Sequence, residues 1–271
     1  MNNNKNKGRA NSKPGRLLFL LLLLPALAIL LVPFLRHSKD MADIKKDEAI
    51  RRELIEERQK DRDQNHNELK SLKKKYRDMV GWIEIPDTDF SYLVMQSGKE
   101  GHREDDPEFY LHANVHGDYS FMGTPFLDSR CSLDSDNLII YGHNMANNLM
   151  FGYLQGYHQR SFYKKHPRIC FTKCGSIREE YEVVSVLVTD IHSYMYTFTD
   201  IYTDEIYKED IEKFLRDSIF ETEAGIELKK EIDVSSAEEL FHKEKFITLS
   251  TCRTGEGRDA RLLVIARKIK D

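Results

Sequence analysis

The stretch Lys245–Ala266, KFITLSTCRTGEGRDARLLVIA, decides the fold. Two apolar runs rich in strand-forming residues, FITLST and ARLLVIA, flank a polar segment with two glycines. That pattern predicts two antiparallel strands closed by the turn RTGEGRD. Cys252 falls at the C-terminal end of the first strand, where a side chain is displayed at a rim and not sealed in a core. Arg253, Arg258 and Arg261 follow within nine residues. The thiolate is the reactive form of cysteine, and a neighbouring cation favours it. In the antiparallel pairing Arg261 opens the returning strand and comes back beside Cys252. A guanidinium there holds a carbonyl oxygen or an oxyanion. The same residues also read as a small buried thiol next to a solvated basic turn.

A second strand end carries the complementary group. In IIYGHNM, Ile139–Met145, an apolar run stops at a glycine and His143 follows. Histidine gives and takes protons near neutral pH. A single such histidine is ordinarily structural. A cysteine, a histidine and an arginine all at strand ends make a nucleophile, an acid–base group and an electrophilic stabiliser.

Outward from these, the chain from Gly81 reads as short strands and turns: GWIEI, the turn Pro86–Asp89, FSYLVMQ, DNLIIYGHN, RICFTK and YEVVSVLVTDIH. NLMFGYLQGY predicts a helix, and so does Tyr202–Glu221, with Ile206, Ile211, Phe214, Leu215 and Ile219 on one side. Many short strands with an inserted helix predict a mostly β barrel or sandwich. With 271 residues, 40% hydrophobic, there is material for a core. A formal net charge of -4 gives no basic face for nucleic acid.

The N-terminus is legible by itself. Residues 1–16 carry five cations and no acid, and Leu17–Leu35 has nineteen residues without a charge. That length matches the roughly 20 residues of a membrane-crossing helix, and the basic flank predicts a cytoplasmic tail. A cleaved signal peptide has a shorter apolar run ending at a small-x-small site. Here ALA sits mid-run, and Arg36, His37 and Lys39 follow. The expectation is an uncleaved single-pass anchor in the cell membrane with the remainder extracellular. Residues 36–78 then form a charged helical stalk. One apolar stripe holds Ile44, Ile50, Leu54 and Ile55; a second holds Leu69, Leu72, Tyr76 and Met79. Glu56–Glu68 between them has no apolar residue and predicts a solvated spacer in place of a continuous coiled coil. The second stripe is expected against the domain at 79–271.

The motifs resemble the sortases, the membrane-anchored cysteine transpeptidases of Gram-positive cell surfaces. TLSTC is similar to that family's TLxTC signature, YGHN to its histidine motif and RLLV to its arginine strand. The helix before the cysteine strand, with GWIEIPDTDFSYLVMQ and NLIIYGHNMANNLMFGYL, resembles class B. The resemblance implies a closed eight-stranded β-barrel with N-terminal helices and a long helix before the cysteine strand. It implies that Cys252 attacks a sorting-signal carbonyl to form a thioacyl-enzyme. His143 would protonate the leaving amine and later deprotonate the incoming one, and Arg261 would bind carbonyls and the oxyanion. Arg258 is the rival for the arginine; Arg261 directly precedes the apolar strand. Ser250 and Thr251 are the implied substrate contacts. The implied partners are a sorting-signal-bearing surface protein or pilin and an amine from a cell-wall precursor or a pilin lysine. No metal or organic cofactor is implied. A wall-peptide hydrolase using the same Cys and His, and a non-catalytic stalked module, are the readings from other classes.

Cys131, Cys170 and Cys174 are surplus to a one-cysteine enzyme, and outside a cell they are disulfide candidates. His166, Cys170 and Cys174 do not follow a common zinc spacing. His112 and His116 in HANVH would share a helical face but lack the glutamate of a zinc-protease helix.

Overall fold

The computed structural model describes residues 14–65, 69–98, 106–190, 208–234, 244–253 and 259–270; side chains are described from Ile29 on, except at 30 and 62–65. Two compact units divide it, residues 1–45 and residues 46–271. Helix α1, Pro14–Asn65, runs through both. Among the described residues no helix is long and apolar enough to cross a membrane. Most of the apolar run at 17–35 precedes the described side chains.

The second unit is a closed barrel of eight strands. They are β1 (Met79–Glu84), β2 (Ser91–Met95), β3 (Phe126–Leu127), β4 (Asn137–Tyr141), β5 (Arg168–Lys173), β6 (Arg178–Asp190), β7 (Phe246–Cys252) and β8 (Ala260–Lys268). Around the barrel the order is β1-β2-β3-β4-β7-β8-β6-β5, and β5 closes onto β1. Short helices α2 (Lys70–Lys75) and α3 (Arg160–Lys165) precede β1 and β5. The strands form where the sequence carries β-branched and aromatic runs, which pack well on a pleated surface. β7 is buried along its whole length up to Thr251, so its run reads as continuous and not alternating. It pairs parallel with β4 and antiparallel with β8. Closure leaves no open sheet edge.

The expected helix over Tyr202–Glu221 is corrected. Residues 202–207 lie outside the described residues, and the chain beyond them forms two helices, α4 (Lys208–Arg216) and α5 (Glu223–Val234). The break has a local cause. Residues 217–222 pair with β6 in place of continuing the helix. The Ile219 N–H donates to the Val186 carbonyl at 2.8 Å, and the Val186 N–H donates to the Ser218 hydroxyl at 3.1 Å. Thr222 donates its hydroxyl to the Val184 carbonyl (2.8 Å) and accepts the Gly225 N–H (2.9 Å). It is therefore the N-cap of α5. Ile219, expected on the buried stripe, is exposed. NLMFGYLQGY also differs from expectation: Phe151–His158 is 3₁₀ and not α.

The expected solvated spacer is, from Lys46 on, a helix laid against the barrel. Leu54 is buried with Leu69, Leu72, Tyr76, Met79 and Trp82 in one core cluster. The charged middle is accommodated by pairing. Arg58 donates to Glu84 at 2.5 Å and lies 5.0 Å from the centre of the Trp82 ring. Asp61 accepts from the Ser71 hydroxyl and backbone N–H. Asp47, also buried, accepts from Ser120 at 2.6 Å. The pattern of apolar residues hid part of this contact because Arg58, Asp61 and Asp47 meet charged or hydroxyl partners there.

Candidate active site

The β7–β8 register places Cys252 opposite Arg261. The Arg253 N–H donates to the Ala260 carbonyl at 2.8 Å and carries the ladder one residue further. Phe246–Thr251 are buried and Cys252 is exposed. The strand therefore delivers its last side chain to a rim, as the sequence predicts. Arg258 lies outside the described residues.

His143 reaches the same rim through the β4–β7 pair. Tyr141 is in register with Ser250. Beyond it the Gly142 N–H donates to the Ser250 carbonyl at 3.3 Å, and the Thr251 hydroxyl donates to the Gly142 carbonyl at 2.8 Å. A Cβ at Gly142 would stand 2.6 Å from the Phe151 ring. That close approach is why a glycine precedes the histidine. The Phe151 N–H donates to the His143 carbonyl at 2.9 Å and ties the turn from below.

The His143 ring is gripped from the segment around Leu111. Its Nε2 lies 2.9 Å from the Leu111 carbonyl. A carbonyl oxygen only accepts, so Nε2 carries a proton and Nδ1 is the nitrogen that exchanges one. The His112 ring packs against it, centroids 5.6 Å apart. Burial lowers the His143 pKa, and the His112 charge adds to that. The Leu111 carbonyl opposes both, and the net direction is below the ordinary value. The imidazole is therefore mostly neutral at neutral pH.

Cys252, His143 and Arg261 line one cleft of about 630 Å³. Ser250 and Thr251 line it too but are almost wholly buried. Thr251 spends its hydroxyl on Gly142, so it positions the histidine turn. Gln155 donates to the Cys252 carbonyl at 3.1 Å.

The sequence singled out neither Asp128, Arg130 nor Tyr141, which line the same cleft. Arg130 donates from Nε and Nη2 to the Asp128 carboxylate at 2.9 and 2.7 Å, and the Tyr141 hydroxyl donates to it at 2.8 Å. Burial alone would raise the Asp128 pKa. The Arg130 donors and the Tyr141 hydroxyl outweigh it and hold the carboxyl below its ordinary range. The one available signal was an arginine two residues after an aspartate just past a strand. That signal means nothing until the fold sets it beside the cysteine.

All four cysteines are free. Cys131 and Cys170 are buried. Burial pushes the Cys170 thiol up, and it pushes Cys174 up to about 11. Protonated thiols are poor nucleophiles. Among the described residues no group of three possible ligands could hold a metal ion. The helical reading of HANVH is corrected: Phe109–Leu111 is one 3₁₀ turn, and Ala113 bridges Tyr119. His112 meets His143, whereas His116 meets Tyr76.

Residues 83–269 match the sortase domain family. The chain is 30% identical over 205 residues to sortase B of Listeria monocytogenes, covering 75% of this chain and 74% of that one. It is similar to the structure of the Staphylococcus aureus sortase B–substrate complex, with TM-score 0.64 and 26% identity over 84% of this chain and 99% of that one. It is similar as well to a sortase B complexed with triglycine, with TM-score 0.64 and 25% identity over 83% and 98% of the two chains.

Proposed function

The chain belongs to the sortase family, with its relatives in class B, and we propose that Cys252, His143 and Arg261 carry its transpeptidation. Cys252 Sγ attacks the carbonyl carbon of a sorting-signal peptide. The new C–S bond displaces the C–N bond, and the departing amine takes its proton from His143 Nδ1, which received it from the thiol. An incoming amine then attacks the thioester, loses a proton to the same nitrogen and restores the thiol. Nε2 stays on the Leu111 carbonyl throughout and fixes the ring's orientation. Arg261, facing Cys252 across the hairpin, stabilises the negative charge that develops on the carbonyl oxygen.

The acyl donor is a surface protein or pilin bearing a sorting signal. The acceptor is an amine of a cell-wall precursor or a pilin lysine. The triglycine complex of a related sortase B, in which the peptide has a free amine, supports an acceptor of that chemistry. The anchor belongs to the proposal too. Leu17–Leu35 is uncharged, and its described side chains Ile29, Leu31, Val32, Phe34 and Leu35 are exposed, the disposition of a helix that faces lipid. Its basic flank keeps residues 1–16 in the cytoplasm and the barrel outside. Protease added to intact cells should then remove the barrel and leave the tail.

The observation that carries the catalytic reading is the convergence of the exposed cysteine, its register partner Arg261 and His143 on one cleft. The test incubates the full chain with a panel of sorting peptides, with and without an amine acceptor. A thioacyl adduct by mass, absent from Cys252→Ala and discharged by the amine, is the expected result. Arg261→Ala should lower kcat/KM about 10²–10³-fold, the usual cost of one oxyanion donor. Adducts on Cys131, Cys170 or Cys174 would overturn the assignment.

A further inference from the structure

The cleft holds a second guanidinium that the chemistry at Cys252 does not use. Arg130 is mounted with unusual firmness for a surface arginine. Its side-on edge, Nε and Nη2, is occupied by both Asp128 oxygens, and its own N–H donates to Asp128 Oδ1 at 2.9 Å. Asp128 is itself fixed. Its N–H donates to the Ile139 carbonyl at 2.9 Å, its carbonyl accepts the Gln96 amide at 2.8 Å, and its carboxylate accepts Tyr141. Asp128 is 8% exposed at its side chain and Arg130 52%. The anchored half of the pair is buried, and the arginine's outer end faces the cleft. The bonds to Asp128 leave from Nε and Nη2, so Nη1 takes no part in them. The end-on edge therefore presents parallel N–H donors in a fixed plane.

Charge decides what such an edge can hold. Glu108 and Asp128 line the cleft against Arg130 and Arg261, two of each sign. Arg130 is already neutralised by Asp128, and a second carboxylate would lie close to the first. A neutral oxygen acceptor meets the donors without that repulsion. Tyr141 and Ser250, register partners two residues before His143 and Cys252, line the cleft as well. A peptide joined to Cys252 through its own carbonyl and laid over Tyr141 arrives at Arg130.

We propose that Arg130, held by Asp128 and Tyr141, is a specificity site that binds a neutral amide carbonyl of the sorting peptide upstream of the bond that is cut. The proposal rests on the transpeptidase reading above. The carbonyl is either a backbone carbonyl or the side-chain carboxamide of Asn or Gln, and the test separates the two.

The test takes one peptide that the full-length wild-type chain converts. Each upstream residue is replaced in turn by Gln, Glu or norvaline, and each upstream peptide bond by an alkene isostere lacking the carbonyl. Wild type and Arg130→Gln are compared on every peptide. At one position, removing the acceptor should raise the wild-type KM about tenfold, the scale of one or two lost hydrogen bonds, with kcat little changed. Arg130→Gln should raise KM by the same factor on the intact peptide and lose nothing more on the depleted one. That non-additivity marks direct contact. A norvaline effect identifies a side-chain carboxamide, and an alkene effect identifies the backbone. Should Arg130→Gln melt early, Arg130→Lys carries the same cycle, since lysine keeps the charge pair but not the planar fork. Additive losses at every position, or better conversion of the Glu peptides than of the Gln peptides, overturn the proposal. Failure of the underlying reading looks different: the wild-type chain would form no adduct at Cys252 with any peptide.

Discussion

At the scale of single residues, His143 shows how a position in the fold sets a protonation state. Burial and the His112 ring disfavour its cation more than the Leu111 carbonyl favours it. Its folded pKa therefore lies below the ordinary 6.5 that it regains on unfolding. Between those two values the unfolded chain binds more protons than the folded one, so stability rises with pH. The contribution of His143 is full above about pH 6.5 and is lost as pH falls through the folded pKa. Urea midpoints measured at pH 7.5 and 5.5 should fall on acidification, and by less in His143→Gln than in wild type. An equal fall in both would contradict the lowered pKa. The placement of His143, Cys252 and Arg261 at one rim was legible in the sequence because they follow, end or open contiguous strands, so a local pattern carries each location. His112, Asp128 and Arg130 were not. Their meaning depends on which strands pair and on a loop that turns Leu111 toward a histidine 32 residues away.

At the scale of elements, the site is a set of strand ends whose register is fixed by small side chains. Gly142 lets β4 pass under Phe151, and Thr251 ties β7 to the Gly142 carbonyl. Gly142→Ala would put a methyl group 2.6 Å from the Phe151 ring. Overpacking of this kind costs about 1–3 kcal/mol. The relief available is to move the ring or the turn, and the turn carries His143. Activity should therefore fall at least about tenfold at a temperature where circular dichroism shows the variant fully folded. Wild-type activity with a lowered melting temperature would show that the ring yields instead. The strands were readable because burial on both faces leaves a continuous apolar run. The break between α4 and α5 was not, because helical periodicity continues through Ile219. What ends the helix is Ser218 and Thr222 bonding to β6, a partner about 32 to 38 residues away.

At the scale of the whole molecule, the distribution of contacts sets where the chain can be shortened. Residues 46–271 form one compact unit, and the part of α1 within it is bound to the barrel by Leu54, by Asp47 on Ser120 and by Arg58 on Glu84. A chain of residues 46–271 should keep the melting temperature of the barrel to within about a degree, since changes away from packed features typically stay within ±0.5 kcal/mol. A chain of residues 69–271 loses more. Burial of one Leu side chain is worth about 1.5–3 kcal/mol. The Arg58 ion pair adds less than a fully buried pair would, because Glu84 keeps Arg178 at 2.9 Å and gains water. The buried Asp47–Ser120 bond adds about 1–3 kcal/mol. A total on the order of 3–6 kcal/mol corresponds to roughly 10 °C or more for a domain of this size. Scanning calorimetry on the two shortened chains separates the cases. Equal melting temperatures would mean that the charged helix is a passive stalk, and that its ion pairs add nothing the barrel needs. A large gap would make it an integral element of the fold, joined to the barrel by charges as well as by apolar surface.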